Sequence, residues 1–126
     1  MKKGELGKWG EARAISYLKE RGYKILDRNF KREISRFLKS EVDIVTEKKG
    51  VICFTEVKAL SGEGFISPEE HVTKGKLRKV AKTGESWLVK NGVALDSPWQ
   101  VDVVSIVKRP GKEAIIRHFK NVASWE

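Results

Sequence analysis

The sequence predicts an α/β domain in which a central hairpin of strands is covered by helices. Three observations carry this: an apolar stripe at helical spacing near the start, two β-branched runs on either side of "KKG", and a second, longer helical stripe followed by two more strand patterns. The order of patterns is helix, strands, helix, strands, with no internal repeat. At 126 residues the chain is expected to fold as one domain spanning 1–126, large enough to bury a core without staples.

Each element has a local reason. Leu6, Ala14, Ile15 and Leu18 line one face of a helix running from Glu5 to Arg21 and closed by Gly22. "YKILDRNF" reads as a short strand, and the basic stretch "KREISRFLKS" as a loop. "EVDIVTE" and "VICFTEVK" form a hairpin about "KKG". "SPEE" opens the second helix, with Ser67 as N-cap, Pro68 at the first helical position and Glu70 closing a capping box. That helix continues to about Lys90 and stops at Asn91-Gly92. "WQVDVVSIVK" and "EAIIRHF" read as strands separated by the turn signal "RPGK".

Composition narrows the function classes. Lys and Arg number 26 against 17 Asp and Glu, a formal charge of +9 that attracts polyanions. Cys53 is the single cysteine, so an internal disulfide is excluded; mid-strand, it reads as a small buried hydrophobe. "MKKGELGKWGEAR" lacks the apolar core of a secretory signal, and no window approaches the roughly 18 apolar residues of a membrane span. A soluble cytoplasmic protein without a membrane partner is expected. His71 and His118 are not spaced to share a metal with Cys53, and "GELGKWG" is neither a Walker loop nor a dinucleotide fingerprint. Its glycines suit close backbone approach at the helix start, the four tryptophans suit packing, and Asp102 reads as a solvent-side strand residue.

The unusual pattern is at the hairpin. Alternate strand residues share a face, so Glu56 and Lys58 extend the row of Ile52 and Phe54. If the loop is Lys48-Lys49, or four residues centred there, Asp43 pairs with Phe54 and becomes a diagonal neighbour of Glu56, roughly 7 to 8 Å away at the backbone. A three-residue loop would separate them. Two carboxylates plus a backbone carbonyl and a phosphate oxygen suit a hard cation such as Mg²⁺, and a lysine beside them offsets charge on phosphate. Glu11 lies within the inward stripe of the first helix, and Lys76 falls between Val72 and Val80 on the apolar face of the second. Inward charges need partners, and a common site is more economical than separate ion pairs. A salt-bridge cluster at the sheet's end is the structural alternative.

"SEVDIV" followed by "EVK", with twelve residues between Asp43 and Glu56, resembles the PD-(D/E)xK signature of restriction-endonuclease-like proteins. With "GKWGEARAISYLKERGYKILDRNF", "HVTKGKLRKVAKTGESWL" and "VDVVSIV", nearly the whole chain resembles the YraN family of small bacterial proteins, themselves similar to archaeal Holliday junction resolvases. Thr55 and Leu60 stand where that pattern has valine and arginine, and "WQVDVV" where it has "RFD". The resemblance implies a central mixed sheet flanked by helices and a Mg²⁺-dependent endonuclease, Mn²⁺ substituting, on structured or branched DNA in repair or recombination. Asp43 and Glu56, with Val57, would be the metal ligands, Lys58 the catalytic lysine, Glu11 the helix acid and Lys76 a nucleic-acid contact. A homodimer is implied by paired cuts. The competing reading is a non-catalytic nucleic-acid-binding module on the same scaffold.

Overall fold

The computed structural model describes residues 4–62 and 72–122. A mixed five-stranded sheet is flanked by two helices, as the sequence predicts. In chain order the elements are α1 (Glu5–Glu20), β1 (Lys24–Glu33), β2 (Lys39–Lys48), β3 (Val51–Ser61), α2 (Lys74–Lys90), β4 (Trp99–Lys108) and β5 (Ile115–Phe119). Strands lie in the order β1-β2-β3-β4-β5; all neighbours are antiparallel except β3 and β4, which run parallel across the connection that contains α2. Among the described residues no helix is long and apolar enough to cross a membrane.

The sheet has a core on each face. Under α2 lie Val45, Ile52, Phe54, Val101 and Val103 with Leu77, Val80, Trp87 and Leu88. Under α1 lie Ile44, Cys53, Val104 and Ile106 with Ala14 and Leu18. Odd and even strand positions thus feed opposite cores, as a pleated sheet requires. The buried thiol of Cys53 behaves as a hydrophobe, burial and then the charge of Asp102 pushing it up to about 12.

Helix ends follow the expected punctuation. Gly22 adopts φ 87°, and Tyr23 N–H and Gly22 N–H close onto the carbonyls of Leu18 and Lys19, ending α1. Asn91 caps α2, with Gly92 at φ 68° beyond it. The start proposed at Ser67, Pro68 and Glu70 lies outside the described residues. The helix that covers the sheet begins at Lys74, where the Thr73 hydroxyl accepts from Lys76 N–H at 3.1 Å.

Three expectations are corrected. The stretch read as a loop is half strand: β1 runs on to Glu33 and β2 starts at Lys39, paired with each other, so only five residues connect them. The hairpin turn is Lys49-Gly50 rather than Lys48-Lys49. Both central residues have positive φ, 51° and 80°, and the glycine is needed inside such a turn. Moving the turn one residue shifts the register by two, so the paired side chains from Ile44 to Thr55 keep their faces.

Asp102 is the third correction. It is 0% exposed and accepts hydrogen bonds from Gln100 Nε2 (2.9 Å), Asn121 N–H (2.9 Å) and the ring Nε2 of His118 (2.8 Å), itself only 4% exposed. A period-two pattern cannot mark it as buried, because β4 has a core on both sides. Burial pushes its carboxyl up, but the bonds from His118, Asn121 and Gln100 outweigh that and hold it below its ordinary value. A depressed carboxyl stabilises the fold above its unfolded value and loses that contribution as pH falls through its folded value. Asp102→Asn is therefore expected to lower stability by about 3 kcal/mol at neutral pH. It should also flatten the acid limb of the stability curve, as pH falls through and below the ordinary carboxylate range, measured by urea unfolding. Parallel acid limbs for the two proteins would exclude Asp102 as the source.

Close approach of α1 to β3 rests on Gly10. A Cβ there would sit 2.5 Å from the Cβ of Ala59. Alanine is the better helix former by about 1 kcal/mol, yet this contact cannot relax without moving backbone. Gly10→Ala should cost about 1–3 kcal/mol by thermal melting, and adding Ala59→Gly should restore much of it. A double variant no more stable than Gly10→Ala would show that the contact is not what sets the helix height.

Candidate metal centre

The site is where the sheet forks. Pairing of β2 with β3 stops at Ile44 and Thr55, but β2 stays paired with β1 down to Lys39, and β3 with β4 up to Ser61. Beyond the fork the two pairs separate and leave a cleft of about 280 Å³. Glu11, Glu41, Asp43, Glu56, Val57 and Lys76 line it, with Gly7 and Ala59. At its apex Asp43 Oδ2 accepts the backbone N–H of Val57 at 2.8 Å. The carboxylate thus replaces the strand partner that β3 loses there.

A break in strand alternation accompanies the fork. Asp27 and Phe30, three apart on β1, both meet the α2 side: Asp27 Oδ2 accepts from Trp87 Nε1 at 2.9 Å, and Phe30 packs on that core. Val45 and Val42 on β2 do the same. Strict period two would put each pair on opposite faces. Between the members of each pair sit Asn29, at φ 51°, and Asp43. Asparagine is among the few residues that tolerate this left-handed conformation. With its amide nitrogen turned to the carboxylates, Asn29 donates to Glu41 Oε1 at 2.8 Å and Glu11 Oε1 at 2.7 Å.

Carboxylate oxygens of Glu11, Glu41 and Asp43 lie within 4.8 Å of one another, a group that can hold a metal ion. Glu56 shares the cleft, and its carboxyl feels Asp43 and Glu41. Burial first, then neighbouring acids, pushes Asp43 up to about 6 and Glu56 up to about 8. Val57 N–H and Lys76 oppose the rise at Asp43, and Lys76 followed by Lys58 oppose it at Glu56. Glu11 is raised by burial and by Glu41 against Arg28. Several carboxyls forced together with too little positive charge are a site that lacks a cation's worth of balance.

The residues singled out from sequence fare differently. Glu11, Asp43, Glu56 and Val57 do converge, and Val57 contributes an N–H to Asp43. Lys76 lines the cleft but is exposed, so it stands at the rim rather than within the apolar stripe of α2. The stripe proper is Leu77, Val80, Ala81, Gly84 and Leu88, one position round the helix. Lys58 is half-buried on β3 outside the cleft lining, its charge felt at Glu56 less than that of Lys76. Sequence reading missed Glu41 and Asn29. The signal for Glu41 was its place two residues from Asp43 on one strand; nothing in the pattern marked Asn29.

The model of the Uncharacterised protein family UPF0102 matches residues 10–106. A UPF0102 protein of Syntrophomonas wolfei is 42% identical over 111 residues, 88% of this chain and 91% of that protein. One of Persephonella marina is 38% identical over 115 residues, 91% of this chain and 90% of that protein. One of a Sulfurihydrogenibium species is 35% identical over 126 residues, 100% of both. Glu11, Glu41, Asp43, Glu56 and Lys76 all fall within the matched span, and the chain belongs to the UPF0102 family.

Proposed function

We propose that this protein is a metal-dependent endonuclease that hydrolyses phosphodiester bonds of structured or branched DNA. The observation that carries the reading is the convergence of Glu11, Glu41 and Asp43 at the fork, with Glu56 in the same cleft. The restriction-endonuclease-like signature read in the sequence supports it, as does the charge of +9 around an acidic cleft. Two symmetric cuts in a junction would call for a homodimer.

The donor set fits a hard cation. The side-chain donors that face the cleft are carboxylates, with no thiol or imidazole among its lining residues, which suits Mg²⁺ or Mn²⁺. Asp43, Glu41 and Glu11 would hold the ion with Glu56, and the ion would supply charge neutralisation for phosphate and a more acidic water. The chain's own contribution is positional. Val57 N–H fixes the Asp43 carboxylate, Asn29 ties Glu11 to Glu41, and Lys76 at the rim offers a cation to an incoming phosphate. Lys58, on the Glu56 side, is placed to temper that carboxylate's charge.

One observation favours a second reading. Lys58 stands outside the cleft lining, which leaves room for a nucleic-acid-binding module that keeps the scaffold without cutting. A cleavage screen over linear, nicked, flapped, single-stranded and four-way DNA with Mg²⁺ or Mn²⁺ separates the two. Asp43→Asn and Glu56→Gln should lose metal affinity and cut about 100-fold more slowly; Lys58→Ala should keep metal affinity and cut more slowly. Binding of DNA without any cleavage, together with no divalent-ion binding, would replace the enzyme by the module.

The raised carboxyls give a pH test. A group whose folded value lies above its unfolded one stabilises the fold below the unfolded value and loses that contribution as pH rises through the folded one. Metal-free protein should therefore lose stability from these groups between about pH 4 and pH 8, through the folded values of about 6 for Asp43 and about 8 for Glu56. A bound cation favours the ionised forms, so the rise in melting temperature on adding Mn²⁺ should grow across that window. In Glu56→Gln the increment should shrink. An Mn²⁺ increment that is flat with pH, or the same in the variant, would count against a metal at this cleft.

A further inference from the structure

Among the described residues, three of the five exposed large hydrophobic side chains sit on one five-residue turn, the tip joining β1 to β2: Ile34 (41% exposed), Phe37 (91%) and Leu38 (46%). The turn is an ordered one. Ile34 and Ser35 N–H groups both donate to the Leu38 carbonyl at 2.8 and 3.0 Å, Leu38 N–H returns to Ser35 at 3.3 Å, and Phe37 N–H reaches the Ser35 hydroxyl at 3.4 Å. A phenyl ring is thereby held out in water by a tied backbone. Such exposure usually marks a contact surface.

The surroundings indicate what it contacts. Lys31, Arg32, Arg36 and Lys39 crowd the arm against one acid, Glu33, and the Arg36 guanidinium stands 5.8 Å from the Phe37 ring centroid. A second copy of a chain carrying +9 would meet this arm with like charge. Three side chains are also far less than the roughly 1,200 Å² that a stable protein interface buries. Nucleic acid satisfies both features at once: phosphates take the cations, and a base with an exposed π-face takes the ring. Fully paired duplex offers phosphates but hides base faces within the stack. Branch points and frayed ends expose them.

The arm is also the far end of the acidic strand. Lys39 begins β2 four residues from Asp43, which places the tip on the order of 15–20 Å from the cleft at ~3.3 Å per residue. We propose that the β1–β2 arm is the device that recognises branched DNA, with Phe37 stacking on an unpaired or unstacked base at the branch while the flanking cations hold the backbone. This rests on the nucleic-acid reading above and names the feature of the substrate that selects it. A strand running from tip to cleft at ~3.4 Å per nucleotide sets the cut about five nucleotides from the stacked base.

The test is binding measured with EDTA present, so that cleavage plays no part. Fluorescence anisotropy is read on a four-way junction, a flap and a fully paired duplex of equal length, for wild type, Phe37→Ala, Phe37→Trp and Asp43→Asn. Phe37→Ala should weaken junction and flap binding about tenfold and duplex binding less than about twofold; Phe37→Trp should restore it. A 2-aminopurine at the branch should brighten or quench on adding wild type and not on adding Phe37→Ala. Equal binding of the junction by wild type and Phe37→Ala overturns the proposal and leaves the cleavage reading standing. So does equal loss on all three DNAs, or an oligomer in sedimentation that Phe37→Ala dissolves. Asp43→Asn that binds like wild type in EDTA and fails to cut once Mg²⁺ is added supports recognition by the arm apart from the cleft, whereas wild type that binds none of these DNAs removes both readings.

Discussion

The hydrogen bond from Val57 N–H to Asp43 Oδ2 is the interaction on which the rest of the site depends. An antiparallel pair cannot separate in mid-sheet without leaving buried amide groups unpaired, each a cost of about 1–3 kcal/mol. Here the first amide left over is given a carboxylate, so the strands part without an orphan donor. One residue thus ends the β2–β3 ladder, fixes the apex of the cleft and brings its carboxylate within 4.8 Å of those of Glu11 and Glu41. The hydrogen bond requires a short side-chain acceptor at 43, and the metal reading requires that acceptor to be an acid. An apolar residue would leave Val57 unpaired, and a long polar one would fill the cleft.

What the fork opens, α1 and β1 furnish. Gly10 lets the helix settle onto Ala59, and the next residue is Glu11, so the helix height and the position of its acid are set by the same contact. Asn29 acts from the other side. Its left-handed backbone re-phases β1, and its amide joins Glu11 to Glu41. Three elements that share no sequence neighbourhood are therefore tied through one glycine, one asparagine and one backbone N–H. Groups held this rigidly suit the positioning of a small ion better than a flexible surface cluster of acids does.

Much of this was legible in the residues. The helical stripes, the hairpin and the shared face of Asp43 and Glu56 follow from periods of 3.6 and 2, and those periods survive a two-residue error in register. Where period two itself fails, the reading failed with it. Asn29 was missed because alternation is interrupted there by a positive φ that no sequence pattern marks, whereas Glu41, two residues from Asp43 on β2, lay within reach of period two and was passed over. Asp102 was misplaced for a related reason. In a strand with a core on both sides, a polar residue looks the same whether it faces water or a buried histidine. The place of Lys76 depends on the angle at which α2 meets the sheet. That angle is set by Gly84 lying against the Phe54 ring, where an added Cβ would come within 2.5 Å of the ring, a contact between residues thirty apart.

The charge distribution joins these parts. The chain is strongly basic, yet four of its acids, Glu11, Glu41, Asp43 and Glu56, line one cleft where burial raises their cost, and the lysines near them stay at the rim or to one side. A polyanion approaching such a surface is drawn by the whole molecule but repelled at the cleft itself, unless the repulsion there is cancelled. A divalent ion is the smallest object that cancels it, because Lys76 and Lys58 lower Glu56 without returning it to its ordinary value. Attraction and repulsion are thus divided between different parts of one fold. On the proposed reading, the basic arm and outer surface would gather phosphate, and the cleft would admit it only together with a cation.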